Sequence, residues 1–300
     1  MLWKLPIFGK ISKIGITPPK PAGDRSGLTI TAIVKNEGRY IGEWAHFHNR
    51  AGVSRFVIYD NGCSDETMSI LRDVLPSEKL VTVPWNQSFT DARMGREIHN
   101  QVLAYAHAAR NFGSTCRWMA FIDVDEFLIP KSALNLNDAL QHLRDVRSIS
   151  LPWHMFGRSG HMKRPAGGVL RNYRMRASDP MSDLRGVRAF KCIVDPCHLT
   201  GVRVHSMEVD GSDDTCNDQG KCFSAEDREK PKFYSAHDIQ LNHYYTRSEE
   251  ELAAKIGRGP NLLAKTSEYE RKVRRTVANI EKNQVEDTAA LDYFARIGWE

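Results

Sequence analysis

The fold is decided by the stretch RWMAFIDVDEF, residues 117–127, in which an apolar strand runs directly into a cluster of carboxylates. Met119 to Ile122 has the continuous apolar character of a strand that is covered on both faces. Asp123 and Asp125 follow two residues apart, so on an extended backbone both side chains point to one face. Two carboxylates at the end of a strand suit a divalent cation that also holds phosphates and keeps several waters. The alternative is an acidic loop with solvated carboxylates, because so short a motif also occurs by chance.

The residues before this stretch predict strands that alternate with helices. The predicted elements are a strand at 28–34, a helix at 40–51, a strand at 53–59, a helix capped by Ser64, a strand at 80–85, a helix at 93–110 and a strand at 116–122. This order implies right-handed crossovers and an open parallel sheet. Ligands of such sheets bind beyond the carboxyl ends of the strands, where Lys35, Asp60 and Asp123 lie.

After Asp125 the pattern is less regular. It predicts a helix at 135–146, a strand at 148–153, a mobile acidic loop at 211–232, and two helices at 248–256 and 264–282. Between Arg158 and Lys191 the chain is markedly basic, which suits an anionic acceptor.

The composition is that of a soluble globular protein, with 300 residues, 41% hydrophobic and 26% charged. A net charge of +5 without dense basic blocks argues against nucleic acid as a partner. Six cysteines are too sparse for a disulfide scaffold, so we expect free thiols in a reducing cytosol. No run reaches the ~18 apolar residues of a membrane span, and no signal-peptide pattern is present. These observations predict a cytoplasmic protein.

The N-terminal segment 1–20 mixes apolar residues with lysines. One interpretation is an arm that touches the inner face of an anionic membrane peripherally. The other is a simple extension or an arm that packs on the protein, because Pro6, Gly9 and Gly15 interrupt any long helix.

Several motifs, in this order, resemble those of the GT-A glycosyltransferases of family 2 and especially of family 92. They are AIVKNE at 32–37, Glu43-Trp44, FVIYDN at 56–61 continuing to Asp65, and the stretch at 118–127. The similarity spans about 28–128. It implies an α/β GT-A fold, which is a Rossmann-like, open, mostly parallel sheet flanked by helices, here with C-terminal helices. It also implies a nucleotide-sugar donor, most simply a UDP-sugar, and a Mn²⁺ or Mg²⁺ ion.

The resemblance assigns roles to residues of the donor site. It implies that Asp60 contacts the nucleotide base, that Asp123 and Asp125 hold the metal and the diphosphate, and that a late histidine completes the metal site. His243 is the first candidate for that histidine and His205 the second.

Position adds further donor-site candidates at the ends of the predicted elements. Lys35, Asn36 and Glu37 end the first strand, where a nucleotide would rest, although Asn36 is equally suited to holding the loop. Arg93 or Arg96 begins the predicted long helix and is either a phosphate ligand or part of an exposed face.

The family comparison favours inversion at the anomeric carbon, which needs a base to deprotonate the acceptor hydroxyl. The candidate carboxylates are Asp183, Asp195, Glu208, Asp213 and Asp214, and we select Asp195 and Glu208. Acceptor contacts are predicted for Glu126, which either supports the acidic pair or touches the acceptor, and for Trp153 and Phe156. The two aromatic residues either stack on a sugar or pack in the core.

The resulting prediction is a metal-dependent hexosyltransferase that uses a glycan or lipid-linked acceptor in surface polysaccharide or glycoconjugate synthesis. Its parts are an arm at 1–27, a nucleotide-sugar-binding half at 28–130, an acceptor-binding half at 131–247 and a helical extension at 248–300. Two alternatives stay open. One is a non-catalytic nucleotide- or carbohydrate-binding protein, and the other is a nucleotidyltransferase or phosphohydrolase that uses the same acidic site.

Overall fold

The structure is a computed structural model that describes residues 9–257 and 266–299. Residues 1–8 of the predicted arm and residues 264–265 of the last long predicted helix lie outside the described residues.

Strands and helices are numbered in chain order. The strands are β1 Ile14–Gly15, β2 Leu28–Val34, β3 Arg55–Asp60, β4 Leu80–Pro84, β5 Thr90–Asp91, β6 Arg96–Glu97, β7 Trp118–Phe121, β8 Glu126–Pro130, β9 Ser148–Met155, β10 Met175–Ala177, β11 Phe190–Val194, β12 Leu199–Val202, β13 Met207–Val209, β14 Thr215–Cys216, β15 Cys222–Phe223, β16 Ile239–His243 and β17 Gln284–Glu286. The helices are α1 Gly38–Arg50, α2 Thr67–Val74, α3 Asn100–Phe112, α4 Leu136–Ala139, α5 Val169–Asn172, α6 Glu249–Gly257, α7 Thr266–Glu281 and α8 Ala289–Arg296.

A large mixed sheet forms the centre, with the order β15-β14-β9-β11-β7-β2-β3-β4 and with β16 joining β8 to β9. The four strands predicted from the sequence, β2, β3, β4 and β7, are parallel neighbours. Strand β11 pairs antiparallel with β7, which begins the mixed part of the sheet. Helices flank this sheet, so the predicted α/β class with a mostly parallel sheet is confirmed.

Strand β2 and helix α1 follow directly from their residue patterns. All of β2 except Ile33 is buried, as expected of a strand with neighbours on both sides. On α1 the residues at helical spacing, including Trp44, Phe47 and His48, form its buried face. The loop between β2 and α1 therefore lies at the carboxyl edge of the sheet.

The helix predicted at 93–110 begins only at Asn100. Before it, β5 and β6 pair as a short hairpin, whose turn contains Gly95 at φ +64°. Ser64 is not the N-cap of α2, because the backbone N–H of Thr67 donates to Asp65 Oδ1 at 3.0 Å. The helix predicted to begin at residue 93 thus begins seven residues later, and the N-cap position of α2 is Glu66, two residues after Ser64.

Two other predictions were wrong after β8. The helix expected at 135–146 is reduced to α4 and a 3₁₀ turn at Gln141–Leu143. The region 211–232 is not a mobile loop, because it contains β14 and β15. Within it the buried Asp218 accepts the backbone N–H groups of Asp238 and Ile239 at 2.7 and 3.1 Å.

The expectation of free thiols holds for four cysteines and fails for two. Cys216 and Cys222 form a disulfide that joins β14 to β15. Their separation of six residues places them opposite each other in this hairpin, where the register pairs them directly.

The N-terminal arm packs on the protein from residue 9 onward. Strand β1 pairs with β12, and Ile11 forms a bridge to Ile98 beside the start of α3. In the described part of the arm, the packing interpretation is therefore confirmed. Among the described residues, no helix has both the length and the apolar content needed to cross a bilayer.

Candidate active site

The acidic pair lies in a tight turn rather than on a continuing strand. Strand β7 ends at Phe121, and the backbone N–H of Glu126 donates to the carbonyl of Asp123 at 3.1 Å. The premise of an extended backbone from Asp123 to Asp125 was therefore wrong. Both side chains nevertheless line the same cavity, because the turn lies at the carboxyl edge of the sheet.

This open cavity has a volume of about 610 Å³, the size of a small-molecule site. Its walls come from the arm, α3, the β7–β8 turn, β9, the β12–β13 hairpin, β16 and α6. The lining residues are Ser12, His99, Gln101, Asp123, Asp125, Trp153, Arg203, Val204, His205, Ser206, His243, Tyr245 and Lys255.

Asp123 is held by two fixed donors. Lys191 Nζ lies 2.8 Å from its Oδ2, and Gln101 Nε2 donates to its Oδ1 at 2.7 Å. The Lys191 side chain is only 1% exposed, and strand β11 brings it there because Cys192 pairs with Phe121. Burial opposes the charge on Lys191, but the carboxylates of Asp123 and Glu126 outweigh it and hold the pKa of Lys191 well above its ordinary value. The ammonium of Lys191 thus compensates the negative charge of Asp123 before any ligand binds.

Glu126 is not positioned to touch an acceptor, because its side chain is fully buried. Its Oε2 accepts the backbone N–H of Asp123 at 2.7 Å and lies 3.6 Å from Lys191 Nζ. Burial, reinforced by Asp123 and Asp125 and opposed by Lys191, raises the pKa of Glu126 to about 8. Of the two predicted roles, only support of the acidic pair agrees with this geometry.

Asp125 is paired with His243 at the end of β16. Their Oδ2 and Nε2 atoms are 3.4 Å apart, and the N–H of Tyr244 donates to the Asp125 carbonyl at 2.8 Å. Burial alone would raise the pKa of Asp125, but His243, Lys255 and Arg247 outweigh it and hold that pKa well below its usual range. Asp125 is therefore an ionised carboxylate that faces the cavity.

The residues present are suited to a divalent ion, though with fewer protein ligands than predicted. No group of three or more histidine, cysteine or acidic side chains is arranged for a metal within residues 9–257 and 266–299. Asp125 and His243 form a two-ligand set, and Mg²⁺-like ions take one or two carboxylates together with substrate phosphates and waters. The buried Nδ1 of His243 has no hydrogen-bond partner in the described part of the chain. Asp123 is the less suitable ligand, because each of its oxygens already accepts a hydrogen bond.

Trp153 and Phe156 have different environments. Trp153 lines the cavity and contacts both His243 and His205, at ring-centroid distances of 4.3 and 5.2 Å. Phe156 is buried and stacks on Tyr244 at 4.5 Å. Trp153 is therefore available to a ligand, whereas the core alternative is the correct one for Phe156.

The residues predicted for the nucleotide lie at the same sheet edge, beyond the cavity lining. The ends of β2 and β3 are adjacent, since Val34 pairs with Asp60. Asp60 Oδ1 accepts the N–H of Cys63 at 2.7 Å, and Asn36 Oδ1 accepts that of Ser64 at 2.8 Å. Asn36 thus holds the loop, with φ at +55°, and Lys35 beside it is exposed. Glu37 precedes α1, where its N–H donates to Thr67 Oγ1 at 2.7 Å.

Arg93 and the two selected bases do not line the cavity. Arg93 is an exposed residue of the β5–β6 turn. Asp195 accepts hydrogen bonds from Arg25 and from Arg117, which precedes β7 and so lies at the opposite edge of the sheet from Asp123. Glu208 forms an ion pair with Lys13 and lies 3.6 Å from Arg203 of the cavity wall, but Glu208 is itself absent from the cavity lining. The structure does not bring these residues together with the acidic pair.

The sequence did not identify three parts of the site, which are Lys191, Gln101 and the β12–β13 hairpin. Of the hairpin residues, only His205 was predicted. For Lys191 a signal existed, because it is the one charged residue of the otherwise apolar strand FKCIV, where burial requires a partner. For the hairpin no such signal existed, since its position over the cavity arises from tertiary packing.

Comparison with known proteins gives a consistent result. A family model described as glycosyltransferase family 92 matches residues 33–288. A glycosyltransferase family 92 protein of Ricinus communis is 30% identical over 175 residues, covering 55% of this chain and 30% of that protein. One of Oryza sativa subsp. japonica is 31% identical over 159 residues, covering 51% and 25%. One of Arabidopsis thaliana is 28% identical over 176 residues, covering 54% and 28%. The matched stretch thus spans less than a third of the length of each of these relatives.

Proposed function

The chain belongs to glycosyltransferase family 92, and on that premise we propose that it transfers a hexose from a nucleotide sugar to a glycan or lipid-linked acceptor. The observation that carries this proposal is the convergence of Asp123, Asp125 and His243 on one cavity at the carboxyl edge of the sheet. A UDP-sugar is the proposed donor.

The donor diphosphate lies, in this proposal, against Asp125, His243 and Lys255. Asp125 and His243 would hold a Mn²⁺ or Mg²⁺ ion, which when bound supplies Lewis-acid stabilisation of the charge on the leaving diphosphate. Lys255 lines the same wall, where its ammonium donates to the Tyr245 carbonyl at 2.7 Å. Asp60 and Lys35 accommodate the nucleotide further along the sheet edge.

The acceptor sugar stacks on Trp153, whose ring is part of the cavity wall. Transfer with inversion is proposed on the ground of the family resemblance, and the cavity volume of about 610 Å³ is that of a small-molecule site. Synthesis of a surface polysaccharide or glycoconjugate from cytoplasmic donors is the proposed context.

The test is the release of UDP from UDP-galactose and UDP-glucose, measured with Mn²⁺ and with EDTA. We expect metal-dependent release from one donor, lost in Asp125→Ala. Binding of Mn²⁺, followed by electron paramagnetic resonance with and without UDP, is a second readout. It should weaken at least tenfold in Asp125→Asn and less than threefold in Asp123→Asn.

Asp227→Ala is the matched control, because the Asp227 side chain pairs with two surface lysines, Lys230 and Lys232, in a 3₁₀ turn outside the cavity lining. Donor binding without turnover would favour the non-catalytic alternative. Release of inorganic phosphate or of a nucleoside monophosphate would favour a phosphohydrolase or nucleotidyltransferase. Neither binding nor release, with any metal, would refute the proposal.

A further inference from the structure

The cavity holds few groups able to accept a proton from an acceptor hydroxyl. Its carboxylates are Asp123 and Asp125. Asp123 is bonded to Lys191 and Gln101, and Asp125 faces His243 and is the proposed partner of the diphosphate side. The segments outside the described residues add no acidic side chain except Glu300. The other side chains of the lining that can accept a proton include three histidines, His99, His205 and His243.

His205 has the geometry of a neutral base. Its Nδ1 lies 3.1 Å from the carbonyl of Phe190, so this nitrogen carries the proton and donates it to the carbonyl. The other ring nitrogen, Nε2, therefore carries a lone pair, and the residue is exposed on the cavity wall. A histidine whose tautomer is fixed by a backbone carbonyl is a common arrangement for proton transfer.

The ring is also fixed in position. It lies on the β12–β13 hairpin, where Arg203 N–H donates to the Ser206 carbonyl at 3.1 Å. Arg228 Nη1 donates to the His205 carbonyl at 3.2 Å, and the Trp153 ring packs edge-on against the imidazole at 5.2 Å. A sugar bound against Trp153 would therefore share the cavity wall with the His205 imidazole.

We propose that His205 is the general base of the transfer. This inference rests on the proposed function. The acceptor hydroxyl gives its proton to Nε2 while its oxygen forms the bond to the anomeric carbon. The bond from that carbon to the diphosphate breaks, and its electron pair leaves on the diphosphate oxygen. The resulting imidazolium returns its proton to solvent.

His205→Asn is the informative variant, because its amide can keep the hydrogen bond to Phe190 but has no basic nitrogen. UDP release is measured from the donor that the wild type uses, with water and with a panel of methyl glycosides as acceptors. We expect the rate to fall on the order of 10²–10⁴-fold. Binding of UDP, measured by calorimetry, should stay within twofold of wild type.

His205→Gly supplies the second measurement. Added imidazole should raise the rate of UDP release by His205→Gly at least tenfold. A purely structural role of the histidine would not permit this increase. His99→Asn is the comparison within the cavity, and a larger loss there than in His205→Asn would overturn the assignment. So would a rate of His205→Asn within threefold of wild type. A wild type that neither binds UDP nor releases it would instead overturn the proposed function itself.

Discussion

The ammonium of Lys191 lies 2.8 Å from the carboxylate of Asp123, under the cavity floor and out of contact with solvent. This contact connects strand β11 of the mixed part of the sheet to the end of β7 in the parallel part. It supplies one positive charge to a site that holds three carboxylates in four positions. Part of the negative charge of the site is thus compensated before any ligand binds.

We predict that Lys191→Met lowers the free energy of unfolding by about 3 kcal/mol, because it removes the ammonium that faces both the fully buried carboxylate of Glu126 and the partly exposed carboxylate of Asp123. The double variant Lys191→Met/Asp123→Asn should recover part of that loss. Urea denaturation measures both. Lys232→Met, at an exposed ion pair with Asp227, is the control and should lower the free energy of unfolding far less than Lys191→Met. Equal losses for the buried and the exposed lysine would contradict the prediction.

Asp195 is predicted to act in stability and not in turnover. It is 3% exposed and bonded to Arg25 and Arg117. Asp195→Asn should cost about 2 kcal/mol, since hydrogen bonds to charged partners are lost or weakened. UDP release per folded molecule should remain that of wild type. A loss of turnover with an unchanged free energy of unfolding would contradict this prediction and would make Asp195 a candidate base again.

His48 is predicted to make stability depend on pH. It is fully buried between Trp44, whose carbonyl accepts from Nδ1, and the N–H of Leu128, which donates to Nε2. Burial lowers the pKa of His48 from 6.5 to about 3. Because the unfolded chain binds a proton below pH 6.5 and the folded chain does not until about pH 3, stability falls as the pH falls across that window.

At pH 5 the loss due to His48 amounts to about 2 kcal/mol relative to pH 7.5. Thermal unfolding of wild type and His48→Gln at both pH values measures it, since the amide gains no proton. The variant should show the smaller difference between the two pH values. His237→Gln, at an exposed histidine, serves as control and should behave as wild type.

The Cys216–Cys222 disulfide is predicted to stabilise the β14–β15 hairpin. Closing a loop with a separation of six residues restricts the unfolded chain and contributes about 2 kcal/mol. Dithiothreitol should lower the melting temperature of wild type but leave that of Cys216→Ser/Cys222→Ser unchanged. No effect of the reductant on wild type would show that the bond does not contribute. A large effect would argue against the predicted cytoplasmic location, because disulfide bonds persist in oxidising compartments.

The sequence by itself determined the parallel half of the sheet. The apolar run of β2 and the helical spacing of α1 specify their own structures, because each buries a face that the residue pattern defines. The ends of β3 and β7 follow from the same alternation of strand and helix. The same pattern predicts that Asp60, Asp123 and Asp125 lie at the carboxyl edge of the sheet.

The tertiary structure alone decided which other side chains meet that edge. Lys191 and His205 come from segments 68 and 82 residues beyond Asp123 along the chain (191 − 123 and 205 − 123), and no local pattern connects them. The antiparallel pairing of β11 with β7 turns Lys191 inward, and the hairpin after β12 carries His205 over Trp153. Contacts between distant residues also explain why Asp195 lies outside the cavity, because Arg25 and Arg117 hold it at the other end of the sheet. Contacts between residues far apart in the chain depend on the packing of the whole domain, whereas strands and helices depend on neighbouring residues.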